Sequence, residues 1–259
     1  MKSLSFLAGL FLLSACATTP MANAGSVLET GNMQGQGQGR NTTSQQGQRA
    51  GGAQPGRFAE VSESGATTLN TNQIATAVST LPVSTLSESE RNGLLFMREE
   101  EKLAYDVYVA LGKKWTTEKR FQNIPNSEAS HTESVRVLLE KYDLDDPNAT
   151  HTAGVYANED LQKAYDAFLA KGEQSLLEAL KVGAEIEELD IADLQRLLLD
   201  VESEDIRLVY EELLRGSRNH LRAFMKGITQ QGGTYTAVHI SQADFDAIAN
   251  GSMEKGSGN

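Results

Sequence analysis

Five residues whose side chains exchange protons and bind metals fall on stripes that are otherwise apolar. Leu94, Met97, Glu101, Ala104, Tyr108 and Leu111 recur at alternating steps of three and four, the spacing that keeps one face of a helix turned to a core. Ile124, Glu128, His131, Val135, Leu138 and Tyr142 form a second such seam. Leu177, Leu180, Ala184, Glu187, Ile191, Leu194 and Leu198 form a third, and Ile206, Tyr210, Leu213, Ser217, His220 and Phe224 a fourth. A lone carboxylate or imidazole in a core costs several kcal/mol unless it is compensated. Glu101, Glu128, His131, Glu187 and His220, converging from four helices, therefore need a shared partner, and a metal ion is the simplest one. The competing arrangement is metal-free, with Glu101 and Glu187 holding His131 and His220 as hydrogen-bond partners.

The elements that must position these residues are helices with readable ends. Ser87-Glu88-Ser89-Glu90 supplies a capping box for a helix running to about Leu111 and stopping at Gly112. Asn123-Ile124-Pro125 predicts the start of a second helix, which ends near Tyr142. Asn158 caps a short helix closed by Gly172, Ser175-Leu176-Leu177-Glu178 opens one that carries to about Val201, and Ser203 caps the last long helix, which stops at Gly232-Gly233. Short connections within two pairs and a long one between them describe an all-α, ferritin-like four-helix bundle with one extra short helix in the crossover. The folded domain is expected over residues 84–233, with a C-terminal extension, 234–259, that has strand-like residues from Tyr235 to Ile240 and a helical turn from Gln242 to Ala249.

Ahead of the bundle the composition changes. Lys2 and the apolar run Leu4 to Leu13 are too short to cross a bilayer and read as a secretion signal over residues 1–15. Leu13-Ser14-Ala15-Cys16 resembles the lipobox of bacterial lipoproteins, which implies lipidation at Cys16, a membrane attachment through that lipid and, with Ala17 following, the outer membrane or cell surface. Cys16 is the single cysteine, so no disulfide forms within one chain. Residues 16–83 are rich in Gly, Gln, Ser and Thr and are read as a disordered tether, with Ile74 to Leu81 apolar enough to pack on the domain. The balance of 23 Lys+Arg against 35 Asp+Glu gives a formal charge of −12, which repels nucleic acid and excludes it as a partner.

In ferritin-like carboxylate proteins two helices each give a Glu and two give Glu-x-x-His, because residues three apart in a helix share a face. Glu101-x-x-Ala104-x-x-x-Tyr108 followed by Glu128-x-x-His131 resembles the first half of a rubrerythrin-like di-iron site. More closely, Arg98 to Tyr108, Phe121 to Glu128, Val182 to Ile191 and Gly216 to Phe224 resemble the DUF2202 family. That likeness, from about Leu94 onward, implies a ferritin-like bundle with a dinuclear metal site: Glu101 and Glu187 as terminal ligands, Glu128 as a bridge, His131 and His220 as nitrogen ligands, and iron, one ion or two, or manganese as the metal. Oxygen or peroxide would be the reactant, and an external electron donor would be required, because no Cys-x-x-Cys is present. The chain departs from the pattern at Ser217, where the second Glu-x-x-His would place a bridging carboxylate. Glu188 or Asp190 turning inward could make up the loss; Glu100 and Glu188 are the alternatives to Glu101 and Glu187 after a small helix rotation. The competing function is a non-catalytic envelope bundle that binds a protein or cell-wall partner.

Overall fold

Hydrogen bonds at the helix starts fix where the long helices begin. In the computed structural model, which describes residues 58–255, Ser87 Oγ accepts from the Glu90 amide at 3.1 Å while the Glu90 carboxylate accepts from the Ser87 amide at 3.0 Å. This capping box opens α2, Glu88–Lys114. The other Glu90 oxygen accepts from the amides of Glu202 and Ser203 at 3.1 and 2.9 Å, so the same carboxylate closes the start of α6, Glu204–Gln230. Ser203 contributes no side-chain cap of its own. α5, Leu176–Leu198, is capped by Ser175 and α4, Glu159–Gly172, by Asn158, as the sequence predicts.

α3 spans Lys119–Lys141 and begins before Asn123, because Glu118 accepts from the Arg120 amide and supplies the cap. Pro125 consequently lies inside the helix and leaves the Phe121 carbonyl without its usual donor. That carbonyl abuts Gly112 of α2, where a Cβ would come within 2.7 Å of it. α2 runs through Gly112 for two more residues.

α2 pairs with α3 and α5 with α6, each pair joined by a short connection, and the pairs meet through α2 against α5 and α3 against α6. This is an all-α four-helix bundle, with α4 in the crossover lying on α2 and α5. Leu94, Met97, Tyr108, Ile124, Leu138, Leu180, Ile191, Tyr210, Leu213 and Phe224 fill its core. Among the described residues no helix is long and apolar enough to cross a membrane.

The expected tether ends sooner than residue 83. β1, Ala59–Val61, and β2, Thr67–Leu69, form an antiparallel hairpin with Val61 opposite Thr67, followed by α1, Thr71–Thr80. Phe58, Ala66, Leu69, Ile74 and Val78 are buried against the bundle. These few apolar contacts suffice because β2 is also hydrogen-bonded to α3 and α6. The outward edge of β2 gives the Leu69 amide to Ser130 Oγ at 2.8 Å, so a strand edge that would otherwise be unpaired is satisfied by helix side chains. Residues 1–57, with the predicted signal, Cys16 and most of the tether, lie outside the described residues.

The C-terminal part also differs from expectation. Tyr235 to Ile240 is not a strand. Its amides at Val238, His239 and Ile240 converge on Glu188 Oε1 at 2.6, 2.5 and 2.9 Å, and Tyr235 OH donates to Glu188 Oε2 at 2.7 Å. α7, Gln242–Ala249, then packs on α6.

Candidate metal centre

The four seams meet at mid-bundle. α3 places Glu128 and His131 on one face, α6 places His220 opposite, and α2 and α5 add Glu101 and Glu187. All five side chains are fully buried. Glu128 lies between the imidazoles: Oε2 is 2.9 Å from His131 Nδ1 and Oε1 is 2.9 Å from His220 Nδ1. Glu101 Oε2 is 3.3 Å from His131 Nδ1, and Glu187 Oε1 is 3.5 Å from His220 Nδ1. The two rings are near-parallel, 16° apart, with centroids separated by 5.4 Å. Glu128, His131 and His220 thus form a group whose ligand atoms could hold a metal ion.

Despite these short distances, both Nδ1 atoms, both oxygens of Glu128 and Glu101, and Glu187 Oε2 make no hydrogen bond. Buried polar atoms without partners are rare, because each costs about 1–3 kcal/mol. Two donors that share one ion at about 2.1 Å and stand at right angles lie about 3 Å apart. The orphaned atoms and their spacing therefore fit a cation at the centre.

The charge balance points the same way. Glu100 and Asp190 are buried beside the five, both without hydrogen-bond partners, so carboxyls outnumber imidazoles. Burial opposes ionisation of Glu128, but His220 and His131 outweigh it and hold the carboxyl at about 2. Burial prevails at Glu187, which is pushed up to about 7 against the pull of His220, and at Glu101, which is raised against the pull of His131. Burial disfavours charged imidazoles, yet Glu128 and Glu187 push His220 up to about 9, and Glu128 and Glu101 carry His131 well above its ordinary value. Asp190 is raised by burial and then by Glu100, Glu101, Glu187 and Glu128. Such a cluster favours any positive charge it can acquire, proton or metal.

Some sequence-based candidates fall elsewhere. Asp190 does turn toward the cluster. Glu188 does not: its carboxylate is committed to the C-terminal segment. Glu100 is raised by burial and next by Asp193, and lies on the α5 side away from the histidines' mutual bridge. Ser217 donates to the Leu213 carbonyl at 3.1 Å, and Glu128 alone spans the two histidines. Tyr108 is fully buried, and its hydroxyl donates to Glu187 Oε1 at 2.7 Å. Arg218 and Arg222 pair with Glu254 in the tail. His151 and His239 are exposed.

Sequence reasoning missed Thr67. Its carbonyl lies 3.0 Å from His131 Nε2, its amide donates to His220 Nε2 at 3.1 Å, and Asn219 Nδ2 donates to its hydroxyl at 3.0 Å. The two contacts to the imidazoles come from the main chain, so no side-chain signal announces them.

Comparison with known proteins adds the lineage. The uncharacterized protein MJ0754 of Methanocaldococcus jannaschii is 45% identical over 179 residues, 69% of this chain and 96% of that one. A crystal structure of hypothetical protein MJ0754 matches with a TM-score of 0.65 at 45% identity, covering 67% of this chain and 99% of that chain. Residues 90–252 match the family described as an uncharacterized protein domain, DUF2202, and carry all five clustered side chains; the chain belongs to the DUF2202 family.

Proposed function

We propose that the bundle is a ferritin-like metalloprotein that binds iron, with manganese as the other candidate, at a carboxylate and histidine centre. Glu128, His131 and His220 would hold the metal with Glu101 and Glu187 completing the set, and a bound redox metal would supply reactivity toward oxygen or peroxide. The observation that carries this reading is the meeting of five fully buried acid and imidazole groups whose facing atoms lie about 3 Å apart without hydrogen bonds. Mixed oxygen and nitrogen donors suit divalent first-row ions. Tyr108 would orient Glu187 through its hydroxyl. Electrons would come from an external donor. The tether and Cys16 would hold the domain at the cell envelope through a lipid.

The test is elemental analysis of protein purified without chelators or affinity-column metal, for wild type and Glu187→Gln. Bound iron or manganese in the wild type, lowered in the variant with helicity kept, is the expected result. A metal-free wild type that neither binds added Fe²⁺ or Mn²⁺ nor gains thermal stability from them would leave a structural bundle.

A further inference from the structure

Asn219, beside His220 in α6, ties the hairpin to the C-terminal tail through one fully buried amide. Its Nδ2 donates to the Thr67 hydroxyl and to the Glu254 carbonyl, both at 3.0 Å, and its Oδ1 accepts from the Glu254 amide at 2.8 Å. Both main-chain groups of Glu254 are thus paired much as a neighbouring strand would pair them. The Glu254 carboxylate accepts from Arg218 Nε at 2.7 Å and from Arg222 Nη2 at 2.8 Å, and Arg222 Nη1 donates back to Asn219 Oδ1 at 2.8 Å. Met253 reaches the hairpin turn itself. A Cβ on Gly65, at φ +87°, would lie 2.7 Å from the Ala223 side chain and 3.1 Å from Met253 Cε, so the turn is gripped by α6 and the tail. The turn also borders an open cleft of about 600 Å³, lined in part by Ser62, Ser64, Asn123 and Lys226, which leaves it room to move.

The hairpin has little else to hold it down. Its strands have three residues each, and its buried apolar side chains are those of Phe58, Ala66 and Leu69; few buried apolar contacts mark a segment that opens locally. Yet β2 covers Nε2 of His131 and of His220 with the main chain of Thr67. We infer that the C-terminal tail is a latch on this cover: Glu254, gripped by Asn219, Arg218 and Arg222, keeps β2 seated across the two imidazoles, and release of the tail lets the strand lift and admits small solutes to the centre. Thr67 and Glu254 both lie outside residues 90–252 matched by the family, so the matched stretch receives its cover from the two segments that flank it. The latch acts whatever the centre holds, and it stands or falls apart from the metal-binding reading.

The test uses the full chain after chelator treatment, so a failure of metal binding leaves it intact. Native-state hydrogen exchange of the Thr67 and Leu69 amides, which donate to His220 and Ser130, reads how often the strand lifts. Glu254→Ala should speed both about tenfold, the value of one hydrogen bond to a charged group, while amides at the middle of α2 and α5 keep their wild-type rates. Ending the chain at Gly251 also removes the main-chain bonds to Asn219 and the Met253 contact, and should raise the factor to about a hundredfold. Labelling with diethyl pyrocarbonate reads access to the centre. His131 and His220 should react faster in both variants by the same factors, while the exposed His151 and His239 react as in wild type. Unchanged exchange of Thr67 and Leu69 in Glu254→Ala, or an equal acceleration of the α2 and α5 amides, would overturn the latch. Faster exchange with unchanged labelling of His131 and His220 would overturn the claim that the strand governs access.

Discussion

Gly216 offers a way to move one histidine without substituting any of the five clustered side chains. It lies in α6 against His131, and a Cβ there would sit 2.5 Å from Cε1 and 2.7 Å from Nε2. To restore ordinary contact the ring must retreat by about 0.9 Å, but Thr67 blocks it on the Nε2 side and Glu128 on the Nδ1 side. Gly216→Ala gains about 1 kcal/mol of helix propensity. Against that stand about 1–3 kcal/mol of overpacking and about 1 kcal/mol if the His131–Thr67 bond breaks. The net expectation is a loss of about 2 kcal/mol, read by urea unfolding, together with weaker metal binding. Gly93→Ala is the control: the same propensity gain meets only the flexible end of Leu197, at 2.9 Å, and the Tyr210 hydroxyl, at 3.2 Å, and stability should stay within about 0.5 kcal/mol of wild type. If Gly216→Ala unfolds at the same urea concentration as Gly93→Ala and binds Mn²⁺ like wild type, the packing of His131 between Gly216, Thr67 and Glu128 is refuted.

Three further outcomes are expected. Glu90, nearly fully buried, is held at about 2 in the fold against an ordinary 4.5, because amide donors from Ser87, Ser203 and Glu202 outweigh burial. A depressed carboxyl stabilises the fold above its unfolded value and loses that contribution as pH falls toward the folded one. Glu90→Gln should therefore cost about 2 kcal/mol at neutral pH, shrinking toward zero as pH drops from about 4.5 to about 2; a pH-independent cost would contradict it. Glu188→Ala should free the amides of Val238, His239 and Ile240, so that limited proteolysis cuts near them while the bundle stays helical; unchanged resistance would show that α7 alone anchors the segment. Cys16→Ser should release the full-length chain from the membrane fraction, and continued retention would count against a lipid anchor.

The bundle was legible because its seams obey helical spacing and because polar groups placed within them have so few physical excuses. Glu101, Glu128, His131, Glu187 and His220 stand out on that ground and do come together. The choice between Glu187 and Glu188 followed from one residue of phase: Glu187 faces the histidines, and Glu188 faces the tail. The hairpin was not legible. Each strand has three residues, too few for an alternation to rise above the polar background, and its docking relies on main-chain groups that every sequence carries. Pro125 misled as a start signal because Glu118, an uncommon cap, opens α3 one and a half turns sooner. The tail between Thr234 and Ser241 read as a strand because its residues are β-formers, yet a single buried carboxylate satisfies its amides.

The clasp from Thr67 to His220 joins residues 153 apart in the chain, and that separation has a kinetic consequence. Contacts within α2–α3 and within α5–α6 close short loops and form early, whereas β2 has no surface to land on until both helical pairs have met. The hairpin is thus expected to be the last piece to seat and the first to lift in a local opening. During synthesis and in each such fluctuation the histidine side of the bundle faces solvent while the carboxylates of α2 and α5 are already in place. If the proposed centre takes a metal, that interval would give ions their passage to it, and the rate of loading would follow how often the strand leaves.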